Sequence, residues 1–257
     1  MGTDDPYSRV DYRRLIAWPK RLHTEGPFLR KFLAMAPERS VLDLGCGTGE
    51  HSRFFHEEGF RVVGVDQSET MIAKATDTPC PPNIKFVRGD LVHLDDAVEG
   101  EFGAAISLGN TLVHITDAED MIKALRGVRR HLCPGGLFLF QFLNYERIFE
   151  KKIRNLPLSF RDNGDEEIVF LRLMDLKENG WVRFCPVTLS YRRSADPPVE
   201  MVRAQGVDIR GWRREDMQGF LEAAGFQITA VLGDMLGGEY VPMESMDLVM
   251  IARKDGA

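Results

Sequence analysis

The chain is poor in cysteine, and its four cysteines, Cys46, Cys80, Cys133 and Cys185, stand far apart. There is no C-x-x-C pair, and no histidine joins them at zinc spacing. That excludes zinc ribbons and zinc fingers, so no metal site is expected. Scattered thiols suit a reducing compartment. Long apolar runs are missing too. None reaches the length of a membrane span, and the opening "MGTDDPYSRVDYRR" lacks the apolar core of a secretion leader. The expectation is a soluble cytoplasmic protein with no membrane partner, although a secreted chain already freed of its leader would read the same. A basic surplus is absent as well. The formal net charge is −6, which sets nucleic-acid binders behind proteins that handle small molecules. Internal repeats, low-complexity segments and obvious flexible linkers are also missing.

What is present is an ordinary apolar content, 44%, enough for a sizeable core. A length of 257 residues fits one α/β domain with an elaboration. From residue 41 to about 141 strands and helices alternate. "SVLDLG" is a short continuous apolar run, as in a buried parallel strand. "EHSRFFHEEGF" predicts a helix ending at Gly59, and "RVVGVD" a second strand. "SETMIAKA" opens a helix with Ser68 as N-cap. "IKFVRGD" and "GAAISLG" are strands three and four. "DAEDMIKALRGVRRHL" is the clearest helix, capped by Asp117, with Met121, Leu125 and Val128 as its buried stripe. "PGG" is expected to stop it, and "LFLFQF" to be strand five. This order predicts a doubly wound, Rossmann-like, mostly parallel sheet.

Residues 7–36 look helical and amphipathic, with breaks expected at Pro19 and at Gly26-Pro27, hence at least two helices. After residue 155 the pattern turns β-rich. "EEIVFLRLMD", "WVRFCPVTLSYRR" and "VEMVRAQGVDIR", parted by turn chemistries, predict an antiparallel insert of about three strands. "RREDMQGFLEAAGF" is a helix stopped by Gly225. "QITAVLGD" and "DLVMIARK" close a seven-stranded sheet. The expected organisation is an N-terminal helical cap over residues 1–36, a main domain over 37–155 and 210–257, and an antiparallel β insert over 156–209.

The stretch "VLDLGCGTGEHS" carries the chemistry. The dinucleotide fingerprint G-x-G-x-x-G is half met, by Gly45 and Gly47. Its third position is Glu50, and Gly49 falls one residue early. No G-K-[ST] follows, so a P-loop is excluded. Asp43 before the loop and Glu50 after it disfavour a pyrophosphate and favour a positively charged ligand. Asp66 lies 21 residues beyond Gly45, the spacing at which a carboxylate accepts from both ribose hydroxyls. A nucleoside with a cationic tail fits, and S-adenosylmethionine has that chemistry. A purely structural turn would account for the glycines but not for Asp43 together with Asp66.

With these residues in view, "VLDLGCGTG" resembles motif I of the class I S-adenosylmethionine-dependent methyltransferases. "VVGVDQSETMI" resembles the segment that follows, with Asp66 as the ribose acid and Gln67 and Met71 beside it. "VRGDLVHL" is similar to the end of the family's third strand, which implies Asp90 at the adenine amino group and Leu91 at its ring. "ISLGNTLVHI" and "LCPGGLFLFQ" match the fourth and fifth strands. "LGNTLVHI", "NYERI" and "VLGDMLGGEYVP…DLVMIARK" resemble the glycine/sarcosine N-methyltransferase group, which implies a β-rich insert and a helical N-terminal segment. The cofactor set expected from motif and resemblance is Asp43, Gly45, Gly47, Gly49, Asp66, Gln67, Met71, Asp90, Leu91, Leu108 and Asn110. In related enzymes an N-terminal segment covers the cofactor. That implies Tyr12, Trp18 and Arg21 here, with Arg21 on the methionine carboxylate; a solvated helix face with a half-buried Trp is the alternative.

Methyl transfer is an in-line displacement that needs alignment and exclusion of water. A base helps an amine lose its proton, and His114 is the candidate, against the alternative of a satisfied loop histidine. The resemblance implies substrate contacts at Asn144, Tyr145 and Arg183. For the first two the alternatives are helix capping and packing. For the third, Arg172, Arg192 and Arg193 compete. The expected activity is methyl transfer to a small molecule, most simply an amine or amino acid nitrogen, leaving S-adenosylhomocysteine. An O-methyltransferase of a small natural product and a non-catalytic S-adenosylmethionine-binding protein are the alternatives. A nucleic-acid amino methyltransferase tends to carry [DN]-P-P-[FY] where this chain reads "LGNT", and a nicotinamide oxidoreductase is opposed by Glu50 and Asp43.

Overall fold

The computed structural model describes residue 13, residues 16–162 and residues 164–256. Tyr12 lies outside the described residues. Among the described residues the order begins with helix α1 (Trp18–Leu33), followed by β1 (Ser40–Leu44), α2 (Glu50–Glu57), β2 (Arg61–Asp66), α3 (Glu69–Thr76) and β3 (Ile84–Arg88). A 3-10 turn (Leu91–Asp96) precedes β4 (Phe102–Ser107), and another (Leu112–His114) precedes α4 (Ala118–Arg130) and β5 (Leu132–Leu143). After α5 (Tyr145–Glu150) come β6 (Asn155–Asp162), β7 (Glu167–Leu176), β8 (Trp181–Tyr191), β9 (Val199–Ala204) and β10 (Val207–Arg210). α6 (Arg214–Ala223), β11 (Phe226–Leu232) and β12 (Asp247–Lys254) complete the order.

The main sheet has seven strands in the order β11-β12-β5-β4-β1-β2-β3. β1 to β5 are parallel, while β12 runs antiparallel between β5 and β11. Alternation sorts the side chains of a strand buried on both faces. Phe138, Phe140 and Phe142 of β5 join one core with Met121, Leu125 and Val128 of α4 and Met217 and Leu221 of α6. Leu137 and Leu139 join the other with Leu29 and Phe32 of α1 and Phe54 and Phe55 of α2.

Local signals account for the helix ends. Ser68 Oγ accepts from Met71 N at 3.1 Å. Asp117 Oδ1 accepts from Glu119 N and Asp120 N at 2.8 and 3.1 Å. An N-cap of this kind is worth about 1 kcal/mol. Asp117→Ala is therefore expected to lower stability by about 1 kcal/mol with an unchanged denaturant slope, read from urea unfolding.

Three expectations need correcting. Pro19 does stand in the first turn of α1, where its missing N–H costs nothing, but Gly26-Pro27 breaks nothing and α1 runs through it. Gly26 is buried, and a Cβ there would lie 3.4 Å from the Phe54 ring. The buried stripe of Leu29, Phe32 and Leu33 offsets the roughly 3 kcal/mol that an interior proline costs. "PGG" does not stop α4 either. The helix ends at Arg130 with His131 as C-cap, and Pro134, Gly135 and Gly136 lie inside β5. They form a bulge where the pairing jumps from Phe102↔Leu132 to Ala104↔Leu137. The insert has five strands, not about three, with β10-β8-β7-β6 in order and β9 on β8. β6 contains Pro157 and reads poorly as a strand, and Gln205-Gly206 divides "VEMVRAQGVDIR" into β9 and β10.

Candidate active site

The glycine loop, Asp66, Asp90 and Leu108–Asn110 all follow the carboxyl ends of parallel strands, the edge where sheets of this kind bind ligands. β1 is the switch point, paired on one side with β2 and on the other with β4. The loop must pass close under the exit of β4. Gly45 has φ +72°, and a Cβ on it would sit 2.3 Å from Thr111 Cγ2. Only glycine satisfies both the left-handed backbone and that approach.

A cavity of about 310 Å³ opens at this crevice. Gly45, Cys46, Gly47, Thr48 and His51 line it from the β1 side, and Asp66, Gln67, Met71, Asp90 and Leu91 from β2 and β3. Leu108, Gly109, Asn110 and His114 close the β4 side, with Trp18 and Arg21 reaching over from α1. Thus Gly45, Gly47, Asp66, Gln67, Met71, Asp90, Leu91, Leu108, Asn110, Trp18 and Arg21 are brought together as the sequence suggested. Among the described residues its wall carries the acids Asp66, Asp90 and Asp120 against one permanent cation, Arg21. That balance suits a cationic ligand and not a pyrophosphate.

Asp66 is held by its own loop. Its Oδ2 accepts from Gly47 N and its Oδ1 from Ser68 N, each at 2.9 Å. A carboxylate has about four acceptor positions, so it can accept from ribose hydroxyls as well as from its own loop. Met71 and Leu91 are the apolar neighbours available to an adenine ring. Gly47 has no heavy atom within 4 Å of where a Cβ would stand, so its backbone faces open space. Arg21 lies over the Trp18 ring at 5.3 Å and pairs with Glu25 Oε1 at 2.8 Å. Trp18 in turn meets His51 edge-on, and His51 Nε2 lies 3.0 Å from Glu25 Oε2. These residues fit S-adenosylmethionine in charge and shape.

Two predicted contacts, Asp43 and Gly49, fall elsewhere, and so does the acid Glu50. Asp43 is buried behind the loop and accepts from Ser52 Oγ at 2.6 Å, so it is no part of the cavity wall. Burial pushes its carboxyl up from the usual range, and His51 and Ser52 pull the other way. Glu50 faces away as well, accepting from Thr48 Oγ1 and pairing with Arg13 Nε at 2.7 Å. Gly49 is the left-handed N-cap of α2, and a Cβ there would strike the Phe86 ring at 2.6 Å. It is needed for packing on β3 and not for ligand contact. The positive-ligand argument survives through Asp66, Asp90 and Asp120, not through Asp43 and Glu50.

A second cavity, about 610 Å³, adjoins the first and shares Arg21, Gly109, Asn110 and His114 with it. Its outer wall is the insert sheet, including Arg161, Arg172, Phe184 and Arg203; its inner wall includes Glu25, Gln141, Leu143 and Asp247. None of the three predicted substrate residues lines it. Asn144 is buried: its Oδ1 caps α5 at Arg147 N, and its Nδ2 donates to Pro242 O and Ser245 O at 2.8 and 3.0 Å. Tyr145 is buried among Phe142 and Phe149, its hydroxyl bonded to Asn110. Arg183 pairs with Asp208 at 2.9 Å on the exposed side. Capping and packing thus explain the first two, and of the competing arginines Arg172 is the one on the cavity wall. His114 does stand at the junction; burial pushes its pKa down, so the ring is neutral at pH 7.

Gln141 and Asp247 were missed. Their signal was available in the topology. A strand antiparallel to β5 begins at the edge where β5 ends, and Asp247 opposes Leu143 in the register.

Residues 41–136 match the family model described as a methyltransferase domain. With the strand order and the acidic crevice, this part of the chain resembles the class I methyltransferase domains of the S-adenosylmethionine-dependent type. Within that class the chain is 37% identical over 139 residues to the glycine/sarcosine N-methyltransferase of Parasynechococcus marenigrum, covering 53% of this chain and 49% of that one. The chain spans about half the length of that relative. It is 28% identical over 225 residues, 84% of each chain, to the cypemycin N-terminal methyltransferase of a Streptomyces species. Its fold matches the S-adenosylmethionine-bound structure of CalS10, an amino pentose methyltransferase from Micromonospora echinaspora, with a TM-score of 0.72 at 20% identity over 95% of this chain and 94% of that one. Among the described residues no helix is long and apolar enough to cross a membrane.

Proposed function

We propose that the protein transfers the methyl group of S-adenosylmethionine to the nitrogen of a small amine or amino acid. The observation that carries this is the pair of cavities meeting at Gly109, Asn110 and His114, one lined with acids at the ends of the parallel strands, the other roomier and rimmed with arginine. The cofactor supplies a methyl already activated on sulfur. The chain's task is to bind, align and exclude water. Asp66 accepts from the ribose hydroxyls, Asp90 and Leu91 hold the adenine, and Gly45 and Gly47 offer backbone to the methionine end. Arg21 turns to the methionine carboxylate, with Trp18 above it. On the acceptor side Arg161, Arg172 and Arg203 favour a molecule with a negatively charged group. α1 is then the cap of the cofactor and the insert the substrate wall. The activity of the relatives, N-methylation of glycine and sarcosine, supports nitrogen over oxygen. Scattered unpaired cysteines and the acidic balance support a cytoplasmic enzyme acting on free small molecules and not on nucleic acid or a membrane.

Calorimetry is expected to give micromolar binding of S-adenosylmethionine and S-adenosylhomocysteine and no heat with NADH. Binding of NADH alone would overturn the reading. Release of S-adenosylhomocysteine is then measured with glycine, sarcosine, ethanolamine and a phenol as acceptors. Turnover confined to the phenol would move the reaction to oxygen.

A further inference from the structure

The inner wall of the acceptor cavity holds a carboxylate that motif I does not explain. Asp247 opens β12, and the antiparallel course of that strand brings it to the ligand edge opposite Leu143. Gln141 anchors one of its oxygens. Gln141 Oε1 accepts from Gly109 N at 2.9 Å, so its Nε2 must be the end that donates to Asp247 Oδ1, also at 2.9 Å. The orientation makes Asp247 Oδ1 an acceptor, and among the described residues no second side chain donates to its carboxylate. Gly109, at the other end of this bridge, lines both cavities. The carboxylate is therefore tied to the place where acceptor and cofactor meet.

On the reading that the acceptor is an amine, we propose that Asp247 receives the acceptor's ammonium group and takes its proton, which makes the cavity selective for amines that carry an N–H when protonated. The proton passes from R–NH3+ to the Asp247 carboxylate, giving R–NH2 and a neutral carboxyl. The nitrogen lone pair then forms the C–N bond while the C–S pair returns to sulfur, and the product leaves as R–NH2–CH3+. A positive sulfonium beside the amine favours loss of that proton. Burial, with Glu25 of α1 and Asp234 of the loop after β11, raises the Asp247 pKa to about 6, against the pull of Gln141 of β5 and Arg21 of α1. His114, neutral across the cavity, adds no charge. The group is thus ionised at neutral pH and yet a better base than an exposed aspartate.

The test is Asp247→Asn, which keeps the shape and the bond from Gln141, assayed with the best acceptor among glycine, sarcosine and ethanolamine. In the wild type, kcat/KM is expected to fall as pH drops through about 6, because the carboxylate protonates and no longer takes a proton. In Asp247→Asn that limb disappears and kcat falls about 100-fold, with S-adenosylhomocysteine affinity unchanged as the check on folding. Asp247→Glu retains the limb, and His114→Ala retains it too. Turnover of Asp247→Asn within about threefold of wild type, with the limb still present, overturns the assignment. If the wild-type protein methylates none of these amines, the amine reading itself fails and takes this inference with it; if it does and only the variants behave otherwise, the failure belongs to Asp247 alone.

Discussion

Asp66→Ala is expected to weaken S-adenosylhomocysteine binding by about 100-fold, close to 3 kcal/mol. Two losses add. The charge-assisted bonds to the ribose hydroxyls go, each of which is worth more than a neutral pair. The loop also loses its brace, because the same carboxylate holds Gly47 N and Ser68 N at 2.9 Å each. Asp66→Asn separates the two. Its amide oxygen still accepts one backbone bond, so it should fall between wild type and alanine. Calorimetry measures both, and affinity unchanged in Asp66→Ala removes the ribose role. Thermal melting should move little, since Asp66 is only half-buried and its partners can turn to water.

The second large effect is expected at Gly45. An alanine there is forced into a left-handed backbone at a cost of about 1 kcal/mol or more, and its methyl meets Thr111 Cγ2 at 2.3 Å and Oγ1 at 2.5 Å. The loop has to move off the exit of β4, which widens the crevice where the methionine end belongs. Cofactor affinity should drop at least about tenfold, and stability by about 2 kcal/mol. The double variant Gly45→Ala with Thr111→Ala removes both offending atoms but leaves the backbone strain and Thr111 Cβ at 3.0 Å. It should regain part of the loss. Full recovery would show that φ at this position is unimportant, and no recovery would show that the clash is.

What could be read in the sequence follows a physical division. Elements whose signal is local were legible: the all-apolar β1, the stop at Gly59, and the caps at Ser68 and Asp117. Gly45, Gly47 and Asp66 were legible too, because strand, turn and carboxylate lie close in the chain and their spacing carries the chemistry. Side-chain direction was not. Asp43 and Glu50 have the right charge and the right position, yet one turns to Ser52 and the other to Arg13. Asn144 stayed open between two roles because an N-cap and a ligand contact look identical in one dimension, and the structure shows the cap. α1 ran through Pro27 because burial of Leu29 and Phe32 outweighed a local break. The acceptor wall was least legible of all. It is built from β6, β7, β8 and β9 of the insert together with Asp247, and only the pairing of strands brings these into one cavity.

The place of β12 governs the order in which the molecule can assemble. Gln141 and Asp247 stand 106 positions apart, and β12 is the only described strand that covers the β5 edge away from β4. During synthesis β5 emerges early and its edge then stays bare until the whole insert, α6 and β11 have been made. Leu137, Leu139 and the three phenylalanines of β5 are exposed to wrong partners for that interval. Closure is a long-range, slow event, and the same event brings Asp247 to the acceptor cavity. A nascent chain can therefore form its nucleoside crevice well before it has a complete place for the molecule to be methylated.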